Sequence, residues 1–377
     1  MSVKAVSKEA GVSPATVSRV INQNGYVAEN KAKLVREAMQ RVGYNPPAVR
    51  RGRRSHKSRG IHNGTIVFLS VHHYSPEELY QMAALSEVLG GVQNMVRKHG
   101  LDLVLAHAPE GKSVPPILSR NKADGVILIG FNKLSADLAK TLNRTPGVWS
   151  FRGSIGSQQK VDAQHKLDHV FYDNPQVGVI AADYLIERSH RNLAFAGFYS
   201  NNSAIAMRRD TFINRVTEQN LKALVVTPKT SDNLTHQARS IVDQLLAANP
   251  WPTGVFVPTD ERMLALFNVL RHRGIEPGHD IELIGCNKEP QVMRQMHPRP
   301  ATIDIKATTI GERAVEQLLQ RMRNPDDSSR TEIIINPEVI EGEETGSQKS
   351  EAGSQKSEAG SRKSETPPEE KEELVCG

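Results

Sequence analysis

The chain has 377 residues, with 48 Lys and Arg against 42 Asp and Glu, a formal net charge of +6. That length holds two or three domains. With no apolar run of membrane-spanning length and no charged-then-apolar leader pattern at the start, it predicts a cytoplasmic protein with no membrane partner. The two cysteines, Cys286 and Cys376, stand far apart, which argues against a disulfide framework and leaves no zinc-ligand spacing, so no metal and no cofactor is expected.

The first 22 residues describe two short helices joined by a tight turn. Ser2 caps a helix from Val3 to Ala10, and Gly11 can take the left-handed conformation that ends it. Ser13 caps a second helix whose first position is Pro14, where a missing N–H costs nothing. Val17, Val20 and Ile21 share one face of it, which turns Ala15, Thr16, Ser18, Arg19 and Asn22 outward. A polar face with one arginine on a supported helix suits the major groove of DNA. A third helix, Glu29 to Val42, carries an apolar stripe of Ala32, Val35, Met39 and Val42, with Gly43 as its stop. Residues 1–59 contain thirteen Lys or Arg against Glu9, Glu29 and Glu37, a net of +10 that leaves −4 for the remainder. Basic charge confined to one end is the footprint of phosphate contacts.

From Gly64 the pattern becomes strand, helix, strand. Strands are expected at 64–71, 101–108, 123–130 and 146–151, with helices at 76–97 and 134–143. After a loop the alternation restarts, with helices at 174–188, 206–220, 235–248 and 260–273. The strands between and after them are 192–197, 223–227, 254–258 and 281–286. Such alternation predicts parallel α/β units, and two runs in series predict two lobes. Ligands of such sheets bind beyond the carboxyl ends of the strands, here between the lobes. The tail repeats GSQKSEA, GSQKSEA, GSRKSET over 346–366 without apolar heptad positions, so residues 343–377 are expected to be disordered.

The order of parts resembles the lactose-repressor/galactose-repressor family. The likeness rests on EAGVSPATVSRVIN (9–22), VGYNP (42–46), residues 168–197 and residues 258–287, and covers about 1–342. It implies a helix-turn-helix headpiece (1–45), a basic hinge (46–62) and a two-lobed, periplasmic-binding-protein-like effector and dimerisation domain (63–342). It also implies a homodimer on a double-stranded DNA operator, with a small-molecule effector, a sugar or sugar derivative, shifting operator affinity. By the same resemblance, Ser13, Thr16, Ser18 and Asn22 hold phosphates or the groove wall, and Tyr44 contacts the backbone. Arg19 matches an arginine that can be bidentate to guanine, and a phosphate contact is its alternative. Pro14 and Ala15 occupy positions that tune base choice, where readout would be apolar.

Two departures stand out. Ala28 replaces the common capping serine of the third helix, forfeiting about 1 kcal/mol. Arg53, within Arg50-Arg51-Gly52-Arg53-Arg54, falls where the family hinge offers a leucine wedge. These arginines either enter a narrow minor groove or form a solvated tether.

For the effector, Tyr74 follows the first strand beside His72 and His73, whose simpler reading is a helix cap or a surface charge. Arg152 follows the fourth strand, and Arg208 sits in Arg-x-x-Thr-Phe. Asp260 stands where the family places an aspartate that accepts ligand hydroxyl hydrogens. Asn287, in Gly285-Cys286-Asn287, replaces an expected aspartate. A transport binding protein would need a leader where the headpiece stands. An enzyme would need a phosphate loop, metal cluster or nucleophile elbow in its proper context, and none is legible, so no enzymatic activity is expected.

Overall fold

The computed structural model describes residues 2–22, 26–44, 61–71, 82–109, 113–130, 134–151, 167–198, 203–229 and 233–343. Residues 46–60 of the expected basic hinge and the repeat tail from 344 lie outside these residues.

Three helices form the N-terminal unit: α1 (Val3–Ala10), α2 (Pro14–Asn22) and α3 (Glu29–Arg41). Ser2 accepts from the Ala5 N–H, and Gly11 closes α1 at φ +62°. Ser13 Oγ accepts from the Thr16 N–H at 3.2 Å, capping α2. Ala28 gives α3 no side-chain cap. Val6, Ala10, Val17, Val35 and Ala38 fill the centre, with Val20, Ile21, Met39, Val42 and Tyr44 packed around them. Ala38, absent from the expected stripe, is fully buried because α1 and α2 both cross α3.

The rest holds two six-stranded sheets. The first is built from β1 (Thr65–Val71), β2 (Asp102–His107), β3 (Gly125–Gly130), β4 (Gly147–Ser150), β5 (Asp168–Tyr172) and a late strand, β11 (Glu332–Ile335). Their order is β11-β5-β4-β3-β1-β2, all parallel. The helices of this stretch are α4 (Ala83–Lys98), α5 (Pro116–Ser119) and α6 (Ala136–Leu142). The helix expected from Pro76 is described from Ala83 onward. The strand β5 was not foreseen. Its five residues are all buried, but Asp168-His169-Val170-Phe171-Tyr172 opens on a charged and a polar residue, so it does not read as an apolar run.

The second sheet comprises β6 (Leu193–Ala196), β7 (Ala223–Val226), β8 (Gly254–Phe256), β9 (Glu282–Cys286), β10 (Ala301–Asp304) and β12 (Glu338–Ile340), in the order β12-β10-β9-β8-β6-β7. Only β12 runs antiparallel to its neighbour. Its helices are α7 (Asn174–Glu187), α8 (Ser203–Glu218), α9 (Leu234–Ala247), α10 (Asp260–His272) and α11 (Pro290–Met293).

The lobes are therefore not simple halves in series. The chain leaves the first sheet after β5 and completes the second through β10. It then returns as α12 (Ala307–Arg323), which packs on α4 and on β3, β4 and β5. After β11 it crosses a third time into β12. A stitch of polar groups holds the return: the buried Asp168 of β5 accepts from Gln317 Nε2 at 2.9 Å, Arg321 Nε at 2.9 Å and the Thr331 N–H at 2.9 Å. One apolar core continues through the crossings, joining Val88, Ile310 and Leu318 to Tyr172, Phe212 and Phe256.

Candidate functional site

Two places gather the residues singled out by sequence. On the headpiece, Val17 of α2 is fully buried, which fixes the helix rotation. Pro14, Ala15, Ser18 and Arg19 are exposed on the opposite side. Thr16 is half-buried, its hydroxyl 3.0 Å from Ser13 Oγ. Tyr44 packs against the headpiece core, which positions its ring. Asn22 ends α2. Arg50, Arg51 and Arg53 lie outside the described residues.

The second place lies at the carboxyl ends of β5, β8 and β9. Arg208, on the second turn of α8, is only 3% exposed. Its Nε donates to Asn174 Oδ1 at 2.8 Å, Nη1 to the Pro258 carbonyl at 2.5 Å, and Nη2 to Tyr172 Oη at 2.8 Å. Both terminal nitrogens also point at Asn287 Oδ1, each at 3.4 Å. Asn174 is locked in turn, its Nδ2 donating to the Ala204 carbonyl at 2.9 Å. Gly178 lets α7 and α8 approach closely enough for this, since a Cβ there would lie 2.3 Å from the Arg208 carbonyl oxygen. Tyr172 and Asn174 were missed by sequence reasoning. The available signal was their place in Tyr-Asp-Asn-Pro, a polar cluster at the junction of a strand and a helix start.

Asp260, the first residue of α10, is fully buried. Its Oδ1 accepts from Thr302 Oγ1 at 2.6 Å and its Oδ2 from the Glu289 N–H at 2.8 Å. Both oxygens thus already serve the protein, bracing α10 against β10 and the turn after β9. Burial pushes the carboxyl up to about 7. Gly285 is required beside it, because a Cβ there would lie 2.3 Å from Asp260 Oδ1. Asn287 takes φ +110° and donates from Nδ2 to Glu289 Oε1 at 2.9 Å. Glu289 is itself buried, and burial raises its proton affinity. Tyr74 and Arg152, with His72 and His73, fall outside the described residues. Among the described residues no group of three or more His, Cys, Asp or Glu could hold a metal ion. A separate cavity of about 300 Å³ opens at the other ends of β9 and β10, lined by Tyr184, Arg188, Glu282, Pro298 and Arg299.

Two family descriptions match the chain: "Bacterial regulatory proteins, lacI family" over residues 2–47 and "Periplasmic binding protein-like domain" over 182–345. The chain is 26% identical over 343 residues to the HTH-type transcriptional repressor PurR of Vibrio atlanticus (strain LGP32), covering 90% of this chain and 97% of that protein. It is 25% identical over 344 residues to PurR of Pasteurella multocida (strain Pm70), covering 90% and 96%. The chain belongs to the lacI family of bacterial regulatory proteins.

Solved structures share its fold. The lac repressor dimer bound to operator and the anti-inducer ONPF gives a TM-score of 0.61 at 16% identity, covering 91% of this chain and 98% of that one. The CelR–cellobiose complex gives 0.57 at 19%, covering 91% and 99%. This lacI-family protein is accordingly a DNA-binding transcriptional regulator with an effector domain of the periplasmic-binding type. No helix among the described residues is long and apolar enough to cross a membrane.

Proposed function

We propose that this regulator represses transcription in the cytoplasm by gripping a double-stranded operator as a homodimer, and that a small molecule held between its lobes sets its operator affinity. The carrying observation is the rotation of α2: burial of Val17 directs Arg19, Ser18, Ala15 and Pro14 to solvent together, at the most basic end of the chain. Arg19 reads guanine, Pro14 and Ala15 offer apolar contact to a thymine methyl, and Ser13, Thr16, Ser18, Asn22 and Tyr44 hold the backbone. Arg50, Arg51 and Arg53 add phosphate or minor-groove contacts.

The homodimer is supported by the two sheet edges. The strands β2 and β7 each end a sheet and expose apolar side chains, Leu105 on one and Leu224 and Val225 on the other. Unpaired apolar edges are normally covered, and a two-fold partner covers both at once. The effector site comprises Tyr74, Arg152, Arg208 and Asn287, with Asp260 bracing it from behind through oxygens held by Thr302 and the Glu289 amide. A sugar or sugar derivative fits a site of converging polar groups beside Tyr172, and a cellobiose complex is among the proteins of similar fold.

The test starts from selecting bound sequences out of a random duplex pool. Arg19→Ala is then expected to lose about 1–3 kcal/mol of discrimination per half-site while the fold survives. A parallel fall in specific and non-specific affinity would make Arg19 a phosphate contact, and failure to select any sequence would overturn the operator reading.

A further inference from the structure

Arg208 is a buried cation that the protein has surrounded with neutral acceptors. The partners of its five N–H groups are an amide oxygen, a backbone carbonyl, a phenol and, for the last two, the amide oxygen of Asn287. Among the described residues no carboxylate pairs with it. Asp260 and Glu289 sense its charge through space, but Asp260 directs its oxygens to Thr302 and the Glu289 amide, and Glu289 directs Oε1 to Asn287. Burying a guanidinium without a counter-ion is costly, and the deficit is greatest where its hydrogen bonds are weakest.

That place is well defined. Three of the bonds are 2.5 to 2.8 Å long, whereas the end-on pair of donors, one on each terminal nitrogen, converges on a single neutral oxygen at 3.4 Å. An end-on guanidinium fork matches the two oxygens of a carboxylate, forming two parallel charge-assisted bonds. Asn287 is the one partner held in a left-handed conformation, φ +110°, and is only half-buried. It can yield its position without exposing the core.

We propose that the effector of this regulator carries a carboxylate, which displaces the Asn287 amide from the Arg208 fork and supplies the missing negative charge. This rests on the reading of the cleft as an effector site and narrows it from sugars in general to acidic ones such as sugar acids. A monoanion is favoured over a phosphate dianion because one cation is uncompensated while Asp260 and Glu289 stand nearby. The replacement of an expected carboxylate by Asn287 then has a physical role: it leaves the counter-ion to the ligand.

The experiment uses the full chain and small probes. Thermal unfolding is followed in sodium acetate and in sodium chloride at equal ionic strength. Calorimetry compares galacturonate with galactose and glucuronate with glucose. Acetate is expected to raise the melting temperature above the chloride curve, by about 3–6 °C once it reaches ten times its Kd. At least one uronate is expected to bind about tenfold or more tightly than its neutral partner.

Arg208→Ala risks unfolding the lobe, so the decisive variant is Asn287→Asp with Glu289→Gln. It places a built-in carboxylate at the fork without a facing acid. In it, the difference between acetate and chloride is expected to vanish. Identical melting curves in acetate and chloride for the wild type would overturn the proposal. So would persistence of the acetate effect in the double variant, or a neutral hexose binding as tightly as its uronate. The last result would still leave a cleft that binds sugars, so failure of the charge assignment is distinguishable from failure of the effector reading.

Discussion

Two glycine-to-alanine changes, both inside helices of this regulator, should act with opposite sign. Gly90 in α4 has nothing within 4 Å of where a Cβ would stand. Alanine there removes backbone freedom from the unfolded chain and should stabilise by about 0.5–1 kcal/mol. Gly178 in α7 faces α8 at the closest point of the two helices, where a Cβ would lie 2.3 Å from the Arg208 carbonyl oxygen and 2.7 Å from the Phe212 nitrogen. The Thr211 hydroxyl is closer still but can rotate away, whereas these two obstacles are backbone and cannot. To bring the oxygen contact to 3.0 Å, α8 must withdraw by about 0.7 Å, an overpacking that costs about 1–3 kcal/mol.

The withdrawal carries Arg208 with it. Its 2.5 Å bond to the Pro258 carbonyl would stretch toward the outer limit of a hydrogen bond, about 3.2 Å. Gly178→Ala should therefore lower the melting temperature by several degrees and weaken effector binding together. Gly90→Ala should raise the melting temperature and leave effector affinity alone. Denaturant titration gives the stabilities and calorimetry with the best-binding probe gives the affinity. Equal stability changes in the two variants would refute the packing argument. Loss of stability at Gly178 with unchanged affinity would show that the placement of Arg208 does not depend on the contact between α7 and α8.

Burial raises the Asp260 carboxyl from 3.8 to about 7, so between those values the folded protein holds a proton that the unfolded chain has released. Stability from this group is accordingly greatest below pH 4 and declines as pH rises to about 7, by on the order of 3–4 kcal/mol at most. Melting curves from pH 4 to 8 should show the wild type losing ground against Asp260→Asn over that window, and a constant difference would count against the burial argument. Arg321→Ala leaves the fully buried Asp168 carboxylate without its cation, and should cost about 3–5 kcal/mol in chemical denaturation. Pairing Arg321→Met with Asp168→Leu should recover most of that loss, and no recovery would mean the stitch acts through packing alone.

The headpiece was almost wholly legible in the sequence because its structure is local. Its capping residues, turn glycines and 3.6-residue periodicity lie within a few positions of the groups they act on, so Ser2, Gly11, Ser13, Pro14 and Val17 predict their own surroundings. The parallel α/β class was legible for a related reason, since strands buried on both faces must read as apolar runs such as TIVFLSV. The assignment of elements to lobes was not. Alternation along the chain looks the same whether a strand pairs with its predecessor or with one more than 150 residues away, as β11 does with β5. The same limit applies to the Arg208 site. Sequence marks an arginine and an asparagine as candidates, but its neutral cage is assembled from β5, α7, the end of β8 and the end of β9. Only the folded chain decides that Asp260 serves as an internal brace while Arg208 lacks a counter-ion, because charge compensation depends on distances in space that residue spacing does not encode.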